Sequence, residues 1–190
     1  MNETVDYIIK FLYAAVLAGV PLMYGTLGEI ITEKAGNLNL GVEGLMYMGA
    51  ISGFTAGFYT NNPALALLAA FGAGVLGSLI YAILTVSFKA NQNVTGLTLT
   101  IFGTGIANLF GSNYTTSGAL GEGVMSVFKS VSIPGLSNLP YVGKLLFSYN
   151  SFVYFGVLLC IVLGIYINHT SQGRSLRAVG ENPAAADAMG

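Results

Sequence analysis

Five long apolar runs constrain the fold of this chain more than any other feature. They cover about residues 8–31, 42–59, 63–88, 94–110 and 152–167. A helix needs about 20 apolar residues to cross the hydrocarbon core of a bilayer. A helix also satisfies its own backbone hydrogen bonds, which lipid cannot do. The runs therefore predict an all-α, polytopic membrane protein with about five transmembrane helices.

Composition supports a membrane location and narrows the possible functions. Of the 190 residues, 54% are hydrophobic and 8% are charged, whereas about 25% of the residues in a soluble domain are charged. The net charge of −1 provides no basic surface for nucleic acid. One histidine and one cysteine are too few for a metal site. We expect membrane lipids around the chain, no bound nucleic acid, metal or cofactor, and no catalytic residues.

The chain is predicted to form a single transmembrane domain over residues 1–190. Between the fourth and fifth runs lies a long segment, 112–150, which we expect to be a loop outside the cell. After the fifth run, residues 173–190 are more polar and are expected to lie in the cytoplasm. This orientation follows from the basic residues, which favour the cytoplasmic ends of membrane helices.

Glycines recur every four residues in the second run, at Gly49, Gly53 and Gly57. Small residues at this spacing allow two membrane helices to pack closely, because they leave room for the neighbouring backbone. We expect this face of the second helix to be a packing surface.

The fourth run is more polar than the others. Thr100, Thr104 and Asn108 recur at helical spacing and share one face. An asparagine inside the bilayer is costly unless it is paired or faces a cavity. Two interpretations remain open: hydrogen bonds between helices, or a polar path for a solute along this face.

The densest polar cluster lies between the first two runs, in the stretch TEKAGNLNLGVEG at 32–44. Irregular backbone at membrane depth is tolerated only against protein or a wet cavity. We expect a structural pivot here, with Asn39 capping the second helix and Glu43 buried in its first turn, where the helix dipole favours a carboxylate. Direct contact between Glu43 and a solute is the alternative.

The last residues, GRSLRAVGENPAAADAMG, predict a short helix beyond the membrane. Asn182 and Pro183 suit the start of a helix, and the alanines that follow favour its continuation. A short helix outside the bilayer is suited to docking in the groove of another protein. The alternative is a basic tail on anionic lipid, but Arg174 and Arg177 alone would give only a small attraction.

Two of these stretches resemble the permease subunits of ABC importers in the simple-sugar and nucleoside group, which are relatives of the branched-chain amino acid permeases. The stretch GEIITEKAGNLNLGVEGLMYMGA is similar to an early motif of that group at Glu33, Lys34, Gly36, Asn39, Gly41, Glu43 and Gly44. The last residues are similar to the group's cytoplasmic coupling loop at Gly173, Leu176, Arg177, Ala178, Gly180, Glu181, Asn182, Pro183, Ala184, Ala185 and Gly190.

The resemblance implies a function and a set of partners. It implies the membrane-spanning subunit of an ATP-driven importer, which moves a nucleoside or simple sugar by alternating access across the bacterial cell membrane. The implied partners are a cytoplasmic ABC ATPase subunit, which hydrolyses the ATP, a second permease subunit and an extracytoplasmic solute-binding lipoprotein. The residues implied to contact the ATPase are Arg174, Leu176, Arg177, Gly180, Glu181, Asn182, Pro183, Ala184 and Ala185.

The resemblance also implies that the chain is an amino-terminal portion of a permease, because members of the group continue with further spanning helices after the coupling loop. The rival interpretation is an ATP-independent transporter or channel for a small polar solute. A channel would account for the polar fourth run but would leave residues 173–190 without a role.

The distribution of basic residues yields a topology prediction. Lys34, Lys89 and Arg174 should lie on the cytoplasmic side. Single cysteines at these positions, in a Cys160→Ala background, are expected to resist an impermeant thiol reagent in intact cells and to react after permeabilisation. Labelling of position 89 from outside would contradict this topology.

Overall fold

Helices make up most of the structure, a computed structural model that describes residues 3–115, 120–131 and 142–189. Within these ranges the backbone forms helices and turns, without a strand. The long helices are α1 (Glu3–Lys34), α2 (Val42–Thr60), α3 (Pro63–Ala82), α4 (Gln92–Thr115) and α7 (Ser151–His169). The short ones are α5 (Glu122–Met125), α6 (Val142–Leu146), α8 (Ser171–Glu181) and α9 (Pro183–Met189). A π-helical turn, Ile83–Ser87, extends α3, and a 3-10 turn, Ser126–Phe128, follows α5.

Four of the described helices are long and apolar enough to cross a membrane: α1, α3 with its π-helical turn, α4 and α7. The second predicted run also forms a helix of 19 residues, α2. Among the long helices, α2 is the one that falls outside this set of candidate spans. The predicted fold class, an all-α polytopic membrane protein, is confirmed.

Local sequence signals account for the starts of two long helices. The Asn62 side chain accepts a hydrogen bond from the Ala64 backbone N–H at 2.9 Å, and Pro63 occupies the first helical position of α3. At α7, the Asn150 side chain accepts from the Val153 N–H at 3.2 Å. Both arrangements satisfy N–H groups that a helix leaves unpaired at its start.

Helices α2, α3 and α4 pack against one another through glycine. A Cβ added to Gly53 would lie 3.0 Å from the Ala66 carbonyl oxygen of α3. On the other side of α2, a Cβ added to Gly103 of α4 would overlap the Gly44 backbone. Such backbone contact gives dispersion energy where lipid supplies no hydrophobic drive between helices. The predicted packing role of the α2 glycines agrees with this geometry.

Helix α1 packs chiefly on α7 and also contacts α2, α6 and α8. The Tyr24 hydroxyl donates to the Phe152 carbonyl oxygen at 2.7 Å. The Tyr13 hydroxyl donates to the Ser148 carbonyl oxygen at 3.0 Å, and its ring stacks on that of Tyr149 with centroids 4.7 Å apart. The described helices therefore form two packed groups, one around α2, α3 and α4 and one around α1, α7 and α8.

The segments between and after the long helices contain short helices of their own. The described parts of the predicted outer loop, 112–150, contain the end of α4, α5 and α6. Its residues 116–119 and 132–141, including SIPGLSNLP, lie outside the described residues. In the coupling segment the expected helix near Pro183 is present as α9, but an additional helix, α8, precedes it.

The contact between α2 and α4 gives a stability prediction. Gly103→Ala would place a methyl group in the Gly44 backbone and should cost about 1–3 kcal/mol of stability, as overpacking typically does. The matched control is Gly105→Ala on the same helix, where a Cβ meets nothing within 4 Å. Thermal unfolding of the purified variants in detergent measures the difference. Equal melting temperatures would show that α4 can withdraw from α2 at no cost.

Candidate functional site

The connection between α1 and α2, residues 35–41, is called the break below. Gly36 has a left-handed φ of +85°, which ends α1. The Gly36 N–H donates to the Glu33 carbonyl oxygen at 2.9 Å, and the Asn37 N–H donates to that of Thr32 at 3.0 Å. These two bonds form the Schellman arrangement that commonly closes a helix with glycine. The break is therefore an ordered turn.

Asn39 is buried in the break and organises its backbone. Its side-chain oxygen accepts from the Gly41 N–H at 2.9 Å, and its own N–H donates to the Glu29 carboxylate at 2.7 Å. The prediction that Asn39 caps α2 is wrong, because Gly41 is the N-cap residue and makes no side-chain bond there. The asparagine closes a turn two residues earlier, which short polar side chains also favour.

Glu43 is exposed, so the prediction that it is buried in the first turn of α2 is wrong. It lines a secondary cavity of about 670 Å³ between α1 and α2. The helix dipole favours a carboxylate at this position without burial. Contact between Glu43 and a solute stays a prediction.

Side chains from α3 and α4 hold the break in place. The Tyr81 hydroxyl lies 2.7 Å from the Leu38 carbonyl oxygen and 2.9 Å from the Asn37 side-chain oxygen. The side-chain oxygen of Gln92, at the start of α4, accepts from the Leu38 N–H at 3.1 Å. Tyr81 is only 4% exposed, so its hydroxyl bond is made away from water.

The polar face of α4 contacts the break at one end. The Thr100 hydroxyl lies 2.9 Å from the Leu40 carbonyl oxygen, while that of Thr104 bonds to the backbone of its own helix. Asn108 is exposed. At Thr100 the geometry therefore matches the interpretation of hydrogen bonds between structural elements. A solute path along this face stays a prediction.

Glu29 is a polar residue that the sequence interpretation missed. It lies half-buried in α1, where its Oε1 accepts from the Asn39 N–H and its Oε2 accepts from the Thr32 hydroxyl at 2.8 Å. Its signal in the sequence is an acid inside an apolar run. Ionisable residues within membrane helices are costly and usually functional.

A large cavity of about 810 Å³ separates α1 from α2 and α3. Glu29, Thr32, Asn39 and Ser78 line it with polar groups, and most of the remaining surface is apolar. Aromatic lining comes from Tyr24, Phe54, Phe71, Phe128 and Phe152. The lining contains no residue of α4, so the cavity is separate from the Thr100–Asn108 face. In the described part of the chain, His, Cys, Asp and Glu residues form no group of three suited to a metal ion.

The end of α8 contacts the break directly. A Cβ on Gly180 would overlap the Lys34 carbonyl oxygen and lie 2.9 Å from the Gly36 nitrogen. The two sequence stretches with family-like motifs therefore meet backbone to backbone, which only a residue without a side chain permits.

After α8 the chain turns into α9, where the Asn182 side chain accepts from the Ala185 N–H at 3.0 Å. This bond confirms Asn182 as the start of the last helix. The predicted coupling residues differ in exposure. Leu176, Arg177 and Gly180 are half-buried, and the exposed ones are Arg174, Glu181, Asn182, Pro183, Ala184 and Ala185. The buried Nε of Arg177 has no hydrogen-bond partner among the described residues.

These features define the class of protein. The described residues include several apolar helices long enough to span a membrane, which is typical of a multi-pass integral membrane protein. An ordered break between two of the long helices is contacted by α8, which follows α7. Residues 4–190 match the family described as "Branched-chain amino acid transport system / permease component". The chain belongs to this permease family.

Relatives at 32–36% identity support the same assignment. The chain is 36% identical to the putative glucose ABC transporter permease protein TsgC13 of Haloferax volcanii, over 94% of this chain and 54% of that protein. It is 35% identical to the guanosine ABC transporter permease protein NupQ of Bacillus subtilis, over 93% of this chain and 57% of that protein. It is 32% identical to the nucleoside ABC transporter permease protein NupC of Lactococcus lactis, over 90% of this chain and 55% of that protein. The chain thus spans about half the length of these relatives, and no solved structure matches it.

The bonds to the break give a second stability prediction. Tyr81→Phe keeps the ring but leaves the Leu38 carbonyl oxygen without its donor, which should cost about 1–3 kcal/mol. Tyr7→Phe is the matched control, because Tyr7 is 73% exposed on α1. The thermal midpoints of the two variants in detergent should differ by several degrees. If Tyr81→Phe and the control unfold at the same temperature, the Tyr81 hydroxyl does not stabilise the break.

Proposed function

We propose that this chain belongs to the membrane-spanning subunit of an ATP-driven ABC importer for a nucleoside or a simple sugar. Membership of the permease family supports this proposal, and so do the names of the relatives, which are permeases for glucose, guanosine and nucleosides. A few polar groups in an otherwise apolar cavity suit a small, neutral solute.

The backbone contact between Gly180 and the turn at Lys34 and Gly36 is the observation that supports the coupling function most directly. A displacement of α8 towards this turn must shift the turn, because no side chain lies between the two backbones to adjust instead. The break is in turn bonded to α1 through Glu29 and to α3 through Tyr81. Closure of an ATPase against α9 would thus reach helices of both packed groups and change which side of the bundle is open.

The partners follow from the same proposal. The exposed residues Pro183–Ala185 suit a groove on a cytoplasmic ABC ATPase subunit, which would hydrolyse the ATP. The half-buried Arg177 would lie at the edge of that contact. A second permease subunit and an extracytoplasmic solute-binding lipoprotein complete the proposed importer. The Thr100, Thr104 and Asn108 face remains a candidate surface along the solute path.

Uptake of labelled guanosine and glucose tests the proposed function in cells that make the full-length permease with its partner subunits. We expect uptake of one of these solutes, and we expect it to stop when the ATPase subunit is inactivated. Uptake that persists without ATP hydrolysis would favour the rival ATP-independent channel.

The coupling contact gives a more specific prediction. Gly180→Ala forces α8 away from the Lys34 carbonyl oxygen and should lower ATP-dependent uptake by about tenfold, equivalent to roughly 1.4 kcal/mol in the barrier. Gly164→Ala in α7 is the control, because a Cβ there meets nothing within 4 Å. The ATPase subunit should still co-purify with both variants. Normal uptake by Gly180→Ala would show that the contact transmits no motion.

A further inference from the structure

The large cavity between α1 and α2–α3 combines a carboxylate with an extensive apolar surface. Glu29 is the one acidic residue of its lining, and the described residues around it include no lysine, arginine or histidine. A carboxylate has room for about four hydrogen bonds. Glu29 uses one on each oxygen, from the Asn39 N–H and the Thr32 hydroxyl. It therefore retains the capacity to accept hydrogen bonds from a ligand in the cavity.

The lining restricts the chemistry of such a ligand. The negative charge of Glu29, without a basic side chain beside it, disfavours phosphate and carboxylate groups. The mainly apolar surface disfavours a hexose, because hydroxyls on every side of the sugar would lose their bonds to water. The aromatic rings of the lining favour a flat, partly apolar group that can stack on them. A nucleoside meets these conditions, since it joins a flat base to hydroxyls on one sugar ring.

We propose that this cavity binds the transported nucleoside, with the Glu29 carboxylate accepting hydrogen bonds from the ribose hydroxyls. The assignment rests on the function proposed above and narrows its solute to a nucleoside without a phosphate. The volume of about 810 Å³ lies within the usual range of small-molecule pockets, about 300–1,000 Å³.

The same carboxylate places the ligand beside the coupling machinery. Glu29 bonds to the Asn39 N–H of the break, and the Gly36 end of the break contacts Gly180 of α8. A movement of α8 that shifts the break would change the environment of the group that binds the ribose. Binding of the solute and the position of the coupling helix are thereby linked through one side chain.

The test compares nucleosides with and without ribose hydroxyls on the full-length permease in membranes. The probes are guanosine and 2′,3′-dideoxyguanosine, and guanosine monophosphate is the charged competitor. We expect the parent to bind guanosine at least about tenfold more tightly than the dideoxy compound, because hydrogen bonds to a charged group are strong. Glu29→Gln should bind guanosine more weakly and discriminate between the two nucleosides by less than about twofold. The control, Glu3→Gln at the exposed start of the same helix, should behave as the parent.

A cysteine-protection measurement tests occupancy of the cavity without altering Glu29. In a Cys160→Ala background, guanosine should slow the labelling of Ser78→Cys, which lines this cavity and not the secondary one, at least about threefold, as expected when most of the protein is occupied. It should not affect Ala64→Cys, which is exposed outside the cavity. Guanosine monophosphate should protect neither position.

The outcomes separate the binding site from the importer function. The site assignment is overturned if Glu29→Gln keeps the discrimination of the parent, or if guanosine leaves the labelling at position 78 unchanged. ATP-dependent uptake under either of these results would leave the proposed importer intact. Discrimination through Glu29 together with protection at position 78, but without ATP-dependent uptake, would support the site and contradict the importer.

Discussion

Backbone contact through glycine between α4 and the start of α2 is the constraint on which the rest of the structure depends. The Gly44 and Gly103 backbones touch, and Gly96 leaves just enough space for the Leu40 and Gly41 nitrogens. Lipid gives helices no hydrophobic reason to associate, so this close approach is a principal source of attraction. It also brings the Leu40 carbonyl oxygen within reach of the Thr100 hydroxyl. A larger residue at these points would separate the polar groups as well as the helices.

The polar groups of the break are satisfied because helices from both packed groups contribute to them. Glu29 supplies a carboxylate from α1, and Tyr81 supplies a hydroxyl from α3. An unpaired backbone group away from water would be costly, so these bonds keep the break near one geometry. A change in that geometry must then be driven by a comparable force from outside the bundle. In the proposed importer, the contact between Gly180 and the turn at Gly36 would transmit that force from the ATPase.

The sequence predicts the long helices well because membrane-spanning length and apolar composition are local properties. It is less informative about side-chain partners, which depend on helices distant in the sequence. Asn39 has the right residue type for a cap, yet its oxygen bonds to the Gly41 N–H before α2 begins. Helix α8 was missed because its glycines and polar residues suggest a loop, although Thr170 caps it through the Gly173 N–H. The sequence alone does not predict the role of Glu29, because its bond to the Asn39 N–H depends on where the break lies in the fold.

The packing of α1 also has a consequence for the order of assembly during synthesis. Its hydrogen bond from Tyr24 reaches Phe152, which is 128 positions later in the chain. At a synthesis rate of about 5–20 residues per second, roughly 6–26 seconds separate the two residues at the ribosome. During this interval α1 lacks α7, on which it chiefly packs, and its apolar surface allows it to remain in the bilayer. The contact between α1 and α7 therefore forms only after α2, α3 and α4 have been synthesised.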